Sequence, residues 1–141
     1  MILILVVNGP NINMLKYRNK KYYGDISEED IREKLEDKAK KDNNKINWWQ
    51  GNSQGQLIDF MHNNHDVAAG LIINPAGYSH TSIAIKDCLD MLRFPIIEVH
   101  ISNPVARNRE FLTASAADAV IMGMGIDSYL FAYNHLIKLN K

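Results

Sequence analysis

Cysteine is almost missing from this chain: there is one in 141 residues, Cys88. A lone cysteine excludes an internal disulfide framework and fits a reducing compartment. No sign of charge dominates. Sixteen basic residues balance sixteen acidic ones, whereas nucleic acid or an anionic membrane surface would favour a basic excess. Neutrality does not exclude a small anionic substrate, which needs only local positive charge. Long apolar runs are also lacking. The longest, Met1–Val7, has seven residues, against about 20 for a membrane-spanning helix. It carries neither the basic lead nor the small-residue cleavage site of a signal peptide. These absences predict a cytoplasmic protein whose partner is a small molecule, with no nucleic acid and no membrane. Repeats, low-complexity tracts and Gly/Ser/Pro-rich linkers are absent too, so a single domain over 1–141 is expected.

What is present alternates. Five apolar runs read as strands: Ile2–Val7, Ile46–Trp49, Ala68–Ile73, Pro95–Val99 and Ala119–Met122. Three are continuous rather than alternating, as suits strands covered on both faces. Helical periods fill the gaps. Ser27-Glu28-Glu29-Asp30 reads as a capping box, followed by Ile31, Leu35 and Ala39 on one stripe. Gln56–His65, Thr81–Leu92 and Ile126–Leu139 read as further helices, and Ala106–Ser115 as either a shorter helix or none. Strict β-α alternation predicts an α/β fold, a flavodoxin-like three-layer sandwich with a five-stranded parallel sheet. Ligands of such sheets bind at the carboxyl ends of the strands.

Those ends carry Asn8-Gly9-Pro10-Asn11-Ile12-Asn13, Asn74-Pro75-Ala76-Gly77-Tyr78-Ser79-His80 and Glu98-Val99-His100-Ile101-Ser102-Asn103. Singly, each has a plain explanation. Asn, Gly and Pro form turns, and Ser79 or Ser102 would serve as a helix cap. Together they put amides and histidines on the ligand-binding edge, and a turn does not require histidine. A polar small-molecule site is expected there. Other chemistries are unsupported. Strands one and three end in Asn8 and Asn74, where a phosphoacceptor domain needs acids. No GxGxxG or Walker loop follows strand one. His62 and His65 lack a third metal ligand and read as a solvated face. Cys88, inside a helical pattern, reads as buried and inert.

After strand one, about thirteen residues run without period before the Ser27 cap. That is long for a βα loop, and such loops are often lids. This one holds Arg18 with Tyr17, Tyr22 and Tyr23. A free phenol loses its proton near pH 10, and a unit charge at about 4 Å is worth roughly 4 kcal/mol at an effective dielectric near 20. A tyrosine beside Arg18 could therefore serve as a base. The residues alone leave the three tyrosines as equals.

Several blocks in order then resemble one family, type II 3-dehydroquinate dehydratase of the shikimate pathway: NGPNINML at 8–15, Arg18, Tyr23-Gly24, QGNSQGQLID at 50–59, INPAGYSHTSIAIKD at 73–87 and IEVHISN at 97–103. The resemblance spans essentially the whole chain and implies the same flavodoxin-like fold. It implies reversible dehydration of 3-dehydroquinate to 3-dehydroshikimate, an anti elimination through an enolate, with no cofactor, no metal and no Schiff-base lysine. Carried over by position, Tyr23 is the base, Arg18 activates it from a lid over about 14–24, and Asn13 holds the water that stabilises the enolate. His100 is the acid, oriented by Glu98. Asn74, His80, Ile101 and Ser102 bind substrate, and Asp87 reaches a neighbouring subunit's site. The implied assembly is a homo-oligomer, a dodecamer built as a tetramer of trimers.

The chain departs from the family pattern in places. Lys16 and Lys20 stand where Gly and Pro are usual, and Gln54 where Glu is. The usual NPGAYTHTS reads NPAGYSHTS, which is expected to change the residue that takes the glycine conformation. The stretch VARNREFLTASAADAV is a few residues short. Arg107 matches the first arginine of the family's segment, while the second, a substrate contact, falls on Leu112 unless Arg109 replaces it. Weaker substrate binding with intact chemistry is the expectation. The alternatives are a diverged non-catalytic homologue that binds a related polyhydroxy acid, and a flavodoxin-like enzyme acting on another such acid. A pure binder has no need of Arg18, Tyr23, Glu98 and His100 together.

Overall fold

The computed structural model describes all residues, 1–141. Five strands form one parallel sheet: β1 (Leu3–Asn8), β2 (Lys45–Gln50), β3 (Gly70–Asn74), β4 (Ile96–His100) and β5 (Ala119–Met122). Their order is β2-β1-β3-β4-β5, the doubly wound arrangement expected from the alternation. Residues Ile4–Asn8 of β1 and every residue of β3 and β4 are buried. The continuous runs Ile2–Val7 and Ala68–Ile73 fall on two of these strands, and β4 is buried although Glu98 interrupts its run. The third continuous run, Ala119–Met122, forms the edge strand β5. The edge strands β2 and β5 are only partly covered.

The period of two in the strands divides the core into two layers. Ile4, Val6, Ile72, Ile97 and Val99 face one side, packing against Ile31, Leu35 and Ala39 of α2 (Glu28–Lys41) and Tyr129, Tyr133 and Leu136 of α5 (Asp127–Leu139). Leu5, Val7, Leu71, Ile73 and Ile96 face the other, packing against Leu57 and Met61 of α3 (Gln54–Asn63) and Ile85, Cys88 and Leu89 of α4 (Ile83–Met91). Burial pushes the Cys88 thiol up to about 11, so it stays protonated and unreactive.

Three of the helix starts, those of α2, α3 and α4, are set by hydroxyl caps. The Ser27 capping box is complete: Asp30 N–H donates to Ser27 Oγ, and Ser27 N–H to the Asp30 carboxylate. Ser53 and Ser82 cap α3 and α4. Ser79 and Ser102 cap nothing; both are buried at the strand ends.

The segment after β1 is not structureless. Ile12–Tyr17 forms a 3-10 turn and Lys20–Tyr23 a single helical turn, α1. Ile12 and Leu15 are buried in the core. Turns this short show no apolar period, which is why the sequence reads as irregular. Ala106–Ser115 resolves likewise into parts of two 3-10 turns, Pro104–Arg107 and Thr113–Ala116, with irregular chain between them. At the mouth of the sheet, β1 and β3 nearly touch. Gly9 N–H donates to Asn74 O at 2.8 Å, and a Cβ on Gly9 would lie 2.4 Å from the Pro75 carbonyl oxygen. Only glycine fits that approach.

The glycine conformation does not move with the exchanged residues. Ala76 adopts it, at φ 53°, and Gly77 does not. A left-handed alanine costs roughly 1–2 kcal/mol, part of which glycine returns through greater unfolded-state freedom. Ala76→Gly is therefore expected to stabilise the fold by about 0.5–1 kcal/mol, read as a higher urea midpoint at unchanged slope.

Candidate active site

The floor of the site is a buried chain of polar groups at the ends of β1 and β3. Asn8 Nδ2 donates to the Trp49 carbonyl at 3.2 Å. The Tyr129 hydroxyl, reaching up from α5, donates to Asn8 Oδ1 at 2.6 Å and accepts from Asn74 Nδ2 at 2.9 Å. Asn74 Oδ1 accepts from Ala76 N–H at 3.1 Å, which holds the left-handed turn. Burial drives the Tyr129 hydroxyl well above the ordinary phenol range, so it keeps its proton and can donate. The parallel register sets Asn8 beside Asn74.

Above this floor lies a cleft of about 170 Å³. The end of β3 contributes Asn74, Ala76, Gly77 and His80, and the end of β4 contributes His100, Ile101 and Ser102. The segment after β1 supplies Asn11, Ile12, Arg18 and Tyr23; the turn after β4 supplies Pro104, Arg107 and Arg109. Three guanidiniums line the cleft and no carboxylate does. A neutral protein has thus built a locally positive site suited to an anion.

His100 stands at its inner wall. Its Nε2 lies 2.8 Å from Glu98 Oε2, and Glu98 is wholly buried behind it. Ser79 Oγ donates to the same carboxylate oxygen at 3.1 Å, and Thr113 Oγ1 donates to the other. The imidazole of His80 stacks near that of His100, centroids 6.4 Å apart, with the edge of Phe111 against both rings. His80 Nδ1 donates to the Glu110 carbonyl, which leaves its Nε2 as an acceptor. Burial, reinforced by the positive charge of Arg109, holds His80 below the ordinary histidine range.

The outer wall is aromatic and cationic. The Arg18 guanidinium lies 4.1 Å from the Tyr23 ring centre, and that of Arg107 lies 5.6 Å from the same ring and 4.8 Å from Tyr22. Arg107 Nη2 also donates to Ser102 Oγ at 2.9 Å, leaving the Ser102 proton free for a ligand. Of the three tyrosines the sequence leaves open, only Tyr23 is buried and lines the cleft. Tyr17 is 70% exposed and Tyr22 37%.

The sequence-predicted residues therefore separate into groups. Arg18, Tyr23, Asn74, His80, His100, Ile101 and Ser102 meet in the cleft, with Glu98 directly behind His100. Asn13 lies outside the lining, exposed, its Oδ1 accepting from Gln50 Nε2 at 3.4 Å. Asp87 sits on the exposed side of α4 and does not line the cleft. Leu112 is not in the lining, but Arg109 is. Sequence reasoning missed Thr113, Phe111 and Tyr129. Only Tyr129 gave a signal, and it pointed to the core. No group of three or more His, Cys, Asp or Glu side chains is placed to hold a metal ion.

Comparison with known proteins agrees with this architecture. A family model described as dehydroquinase class II matches residues 2–137. The 3-dehydroquinate dehydratase of Halothermothrix orenii is 37% identical over 142 residues, covering 98% of this chain and 95% of that protein. The 3-dehydroquinate dehydratase of Thermotoga petrophila is 41% identical over 140 residues, covering 96% of this chain and 94% of its own length. Among solved structures, the type II dehydroquinase from Butyrivibrio crossotus superposes with a TM-score of 0.90 at 34% identity, over 96% of this chain and 97% of that one. The type II dehydroquinase from Propionibacterium acnes gives 0.91 at 32% identity, over 96% of each chain. With the match running almost from end to end in both sequence and structure, the chain belongs to the class II dehydroquinase family.

Proposed function

We propose that this chain catalyses the reversible dehydration of 3-dehydroquinate to 3-dehydroshikimate. One observation carries the reading: Tyr23, flanked by two guanidiniums, and His100, backed by Glu98, share a single cleft that is positive and free of carboxylates. The substrate is a carboxylate with ring hydroxyls and a ketone. Its carboxylate answers the unbalanced positive charge, and its hydroxyls answer Ser102, His80 and the free N–H of the Asn74 amide. The second arginine missing at Leu112 is supplied by Arg109.

The chemistry follows as an anti elimination. Tyr23, with the Arg18 guanidinium over its ring, takes the proton alpha to the ketone and leaves an enolate. Asn13, at the rim, holds a water that stabilises the enolate oxygen. The enolate collapses to the conjugated enone, and the leaving hydroxyl departs as water with a proton from His100. Tyr23 then returns its proton to solvent and His100 regains one, so water is the only co-product. Residues 14–24 act as a lid that brings Arg18 and Tyr23 over the bound ring. The reading includes one catalytic domain over 1–141 working in the cytoplasm, assembled as a tetramer of trimers in which Asp87 approaches a neighbour's cleft.

Three outcomes test this. Tyr23→Phe is expected to lower kcat for enone formation by about 10²–10⁴, the usual worth of a general base, as followed by ultraviolet absorbance; full activity in that variant would move the base elsewhere. Arg109→Leu is expected to raise KM about ten- to a hundredfold with a smaller change in kcat, the loss of one charged hydrogen bond. An unchanged KM would remove Arg109 from the binding site. His80 is expected to titrate below the reference value of about 6.5 by proton NMR. The unfolded chain then binds more protons than the folded one, so stability is full above about pH 6.5 and falls below it. His80→Gln is expected to flatten that dependence.

A further inference from the structure

We propose that Thr113 is a positioning residue for proton delivery, acting through Glu98 to fix His100 in the tautomer that leaves Nδ1 as its working nitrogen. Its kinetic consequence rests on the dehydratase reading above; the tautomer itself does not.

The argument is an accounting of donors around one buried carboxylate. Glu98, Thr113 and Ser79 are each 0% exposed, so no bulk water reaches the group. A carboxylate only accepts hydrogen bonds, and one buried without donors is costly. Oε2 receives His100 Nε2 and Ser79 Oγ; Oε1 receives Thr113 Oγ1 and no other side chain. Thr113 Oγ1 also lies 3.2 Å from Ser79 Oγ, but a hydroxyl has one proton, and the closer contact is to Glu98. Ser79 spends its own proton on Oε2. Thr113 is thus the sole donor to Oε1.

This has a consequence for the histidine. With Oε1 occupied by Thr113, the carboxylate is held in one rotation, with Oε2 presented to His100. Nε2 facing an acceptor-only oxygen must carry a hydrogen, so neutral His100 is the Nε2–H tautomer with its lone pair on Nδ1. The proton delivered to the leaving hydroxyl is the one Nδ1 carries in the imidazolium, whose loss returns the ring to that neutral tautomer. Phe111 and His80 fix the plane of the ring. The turn bearing Thr113 is tied to the same site through Leu112 N–H, which donates to the Ser79 carbonyl at 2.7 Å. The shortened segment after β4 therefore carries the residue that orients the acid.

The test compares full-length wild type, Thr113→Val and Thr113→Ser. The valine keeps the shape and removes the hydroxyl; the serine restores it. Thr113→Val is expected to lower kcat about tenfold with KM within about twofold, and Thr113→Ser to recover most of the loss. Nitrogen NMR of imidazole-labelled protein supplies a readout that turnover does not affect. Neutral wild-type His100 is expected to show a protonated Nε2 and a bare Nδ1, and Thr113→Val a mixture of tautomers. A purely structural Thr113 would lower the melting temperature but leave both kcat and the nitrogen pattern as in wild type, which overturns the proposal. So does an Nδ1–H tautomer in wild type, a result that needs no variant to fold. If wild type shows the expected pattern but does not turn over 3-dehydroquinate, the dehydratase reading fails while the Thr113 assignment is still decided by the NMR comparison.

Discussion

A carboxyl group sealed from water is the constraint on which this site depends. Glu98 lies in the middle of β4, an interior strand of the sheet, with no exposed surface. A charge so placed costs several kcal/mol unless donors surround it. The donors come from three separate stretches of chain: Ser79 after β3, His100 two residues along β4, and Thr113 from the turn before β5. Satisfying one side chain thus draws the β3 loop and the post-β4 segment together. The cleft wall is the result. His80, Phe111 and Arg109 take their places because the chain on either side of them is pinned to the same carboxylate.

The second polar centre, Asn8–Tyr129–Asn74, works by the same rule and serves the other end of the cleft. These side chains are buried and each is hydrogen-bonded. Removing the Tyr129 hydroxyl would strip a donor from Asn8 and an acceptor from Asn74 at once. Buried networks of this kind rigidify when fully satisfied and are costly when half satisfied. Asn74 shows how far the floor is specified. Its Oδ1 is committed to Ala76 N–H and one amide hydrogen to Tyr129, so a single N–H is left to point at a ligand. The left-handed Ala76 is tolerated because that hydrogen bond and Gly9's contact with Pro75 fix the turn around it.

This explains what could be read from the sequence and what could not. The sheet was legible because its buried parallel strands are largely apolar: Ile4–Val7 and Leu71–Ile73 are continuous and supply both core layers, and Ile96–Val99 is broken only by Glu98. Helices of two turns or more were legible from their stripes, as with Ile31, Leu35 and Ala39. The strand-end rule then placed Asn74, His80 and His100 on one edge. The 3-10 turns were not legible, because Ile12 and Leu15 enter the core from a segment too short to show a period. Nor was Thr113, since a lone threonine in an irregular stretch has no spacing to betray it. Its role exists only because Glu98 is buried opposite. Arg109 and Leu112 could not be separated by counting along the chain, as the shortened segment shifts the register; three dimensions decide which of them faces the cleft.

The two walls of the cleft are held by unlike forces, and the difference bears on how a ligand enters. The inner wall rests on buried hydrogen bonds and close packing. The outer wall rests on Arg18 and Arg107 lying over Tyr22 and Tyr23, contacts worth about 0.5–2 kcal/mol each. Its near end is anchored by Ile12 and Leu15 in the core, while Lys20–Tyr23 is only one helical turn, too short to be stable by itself. An anion arriving in the cleft competes for the same guanidiniums that hold this turn against the site. Charge-assisted bonds to a carboxylate are stronger than cation–π contacts near the surface. Binding therefore exchanges weak ties for strong ones at Arg18 and Arg107 without disturbing Glu98 or the Asn8–Tyr129–Asn74 floor. On the proposed mechanism this puts the acid on a rigid wall and the base on a lightly tethered one, as an elimination needs when substrate must enter and water must leave.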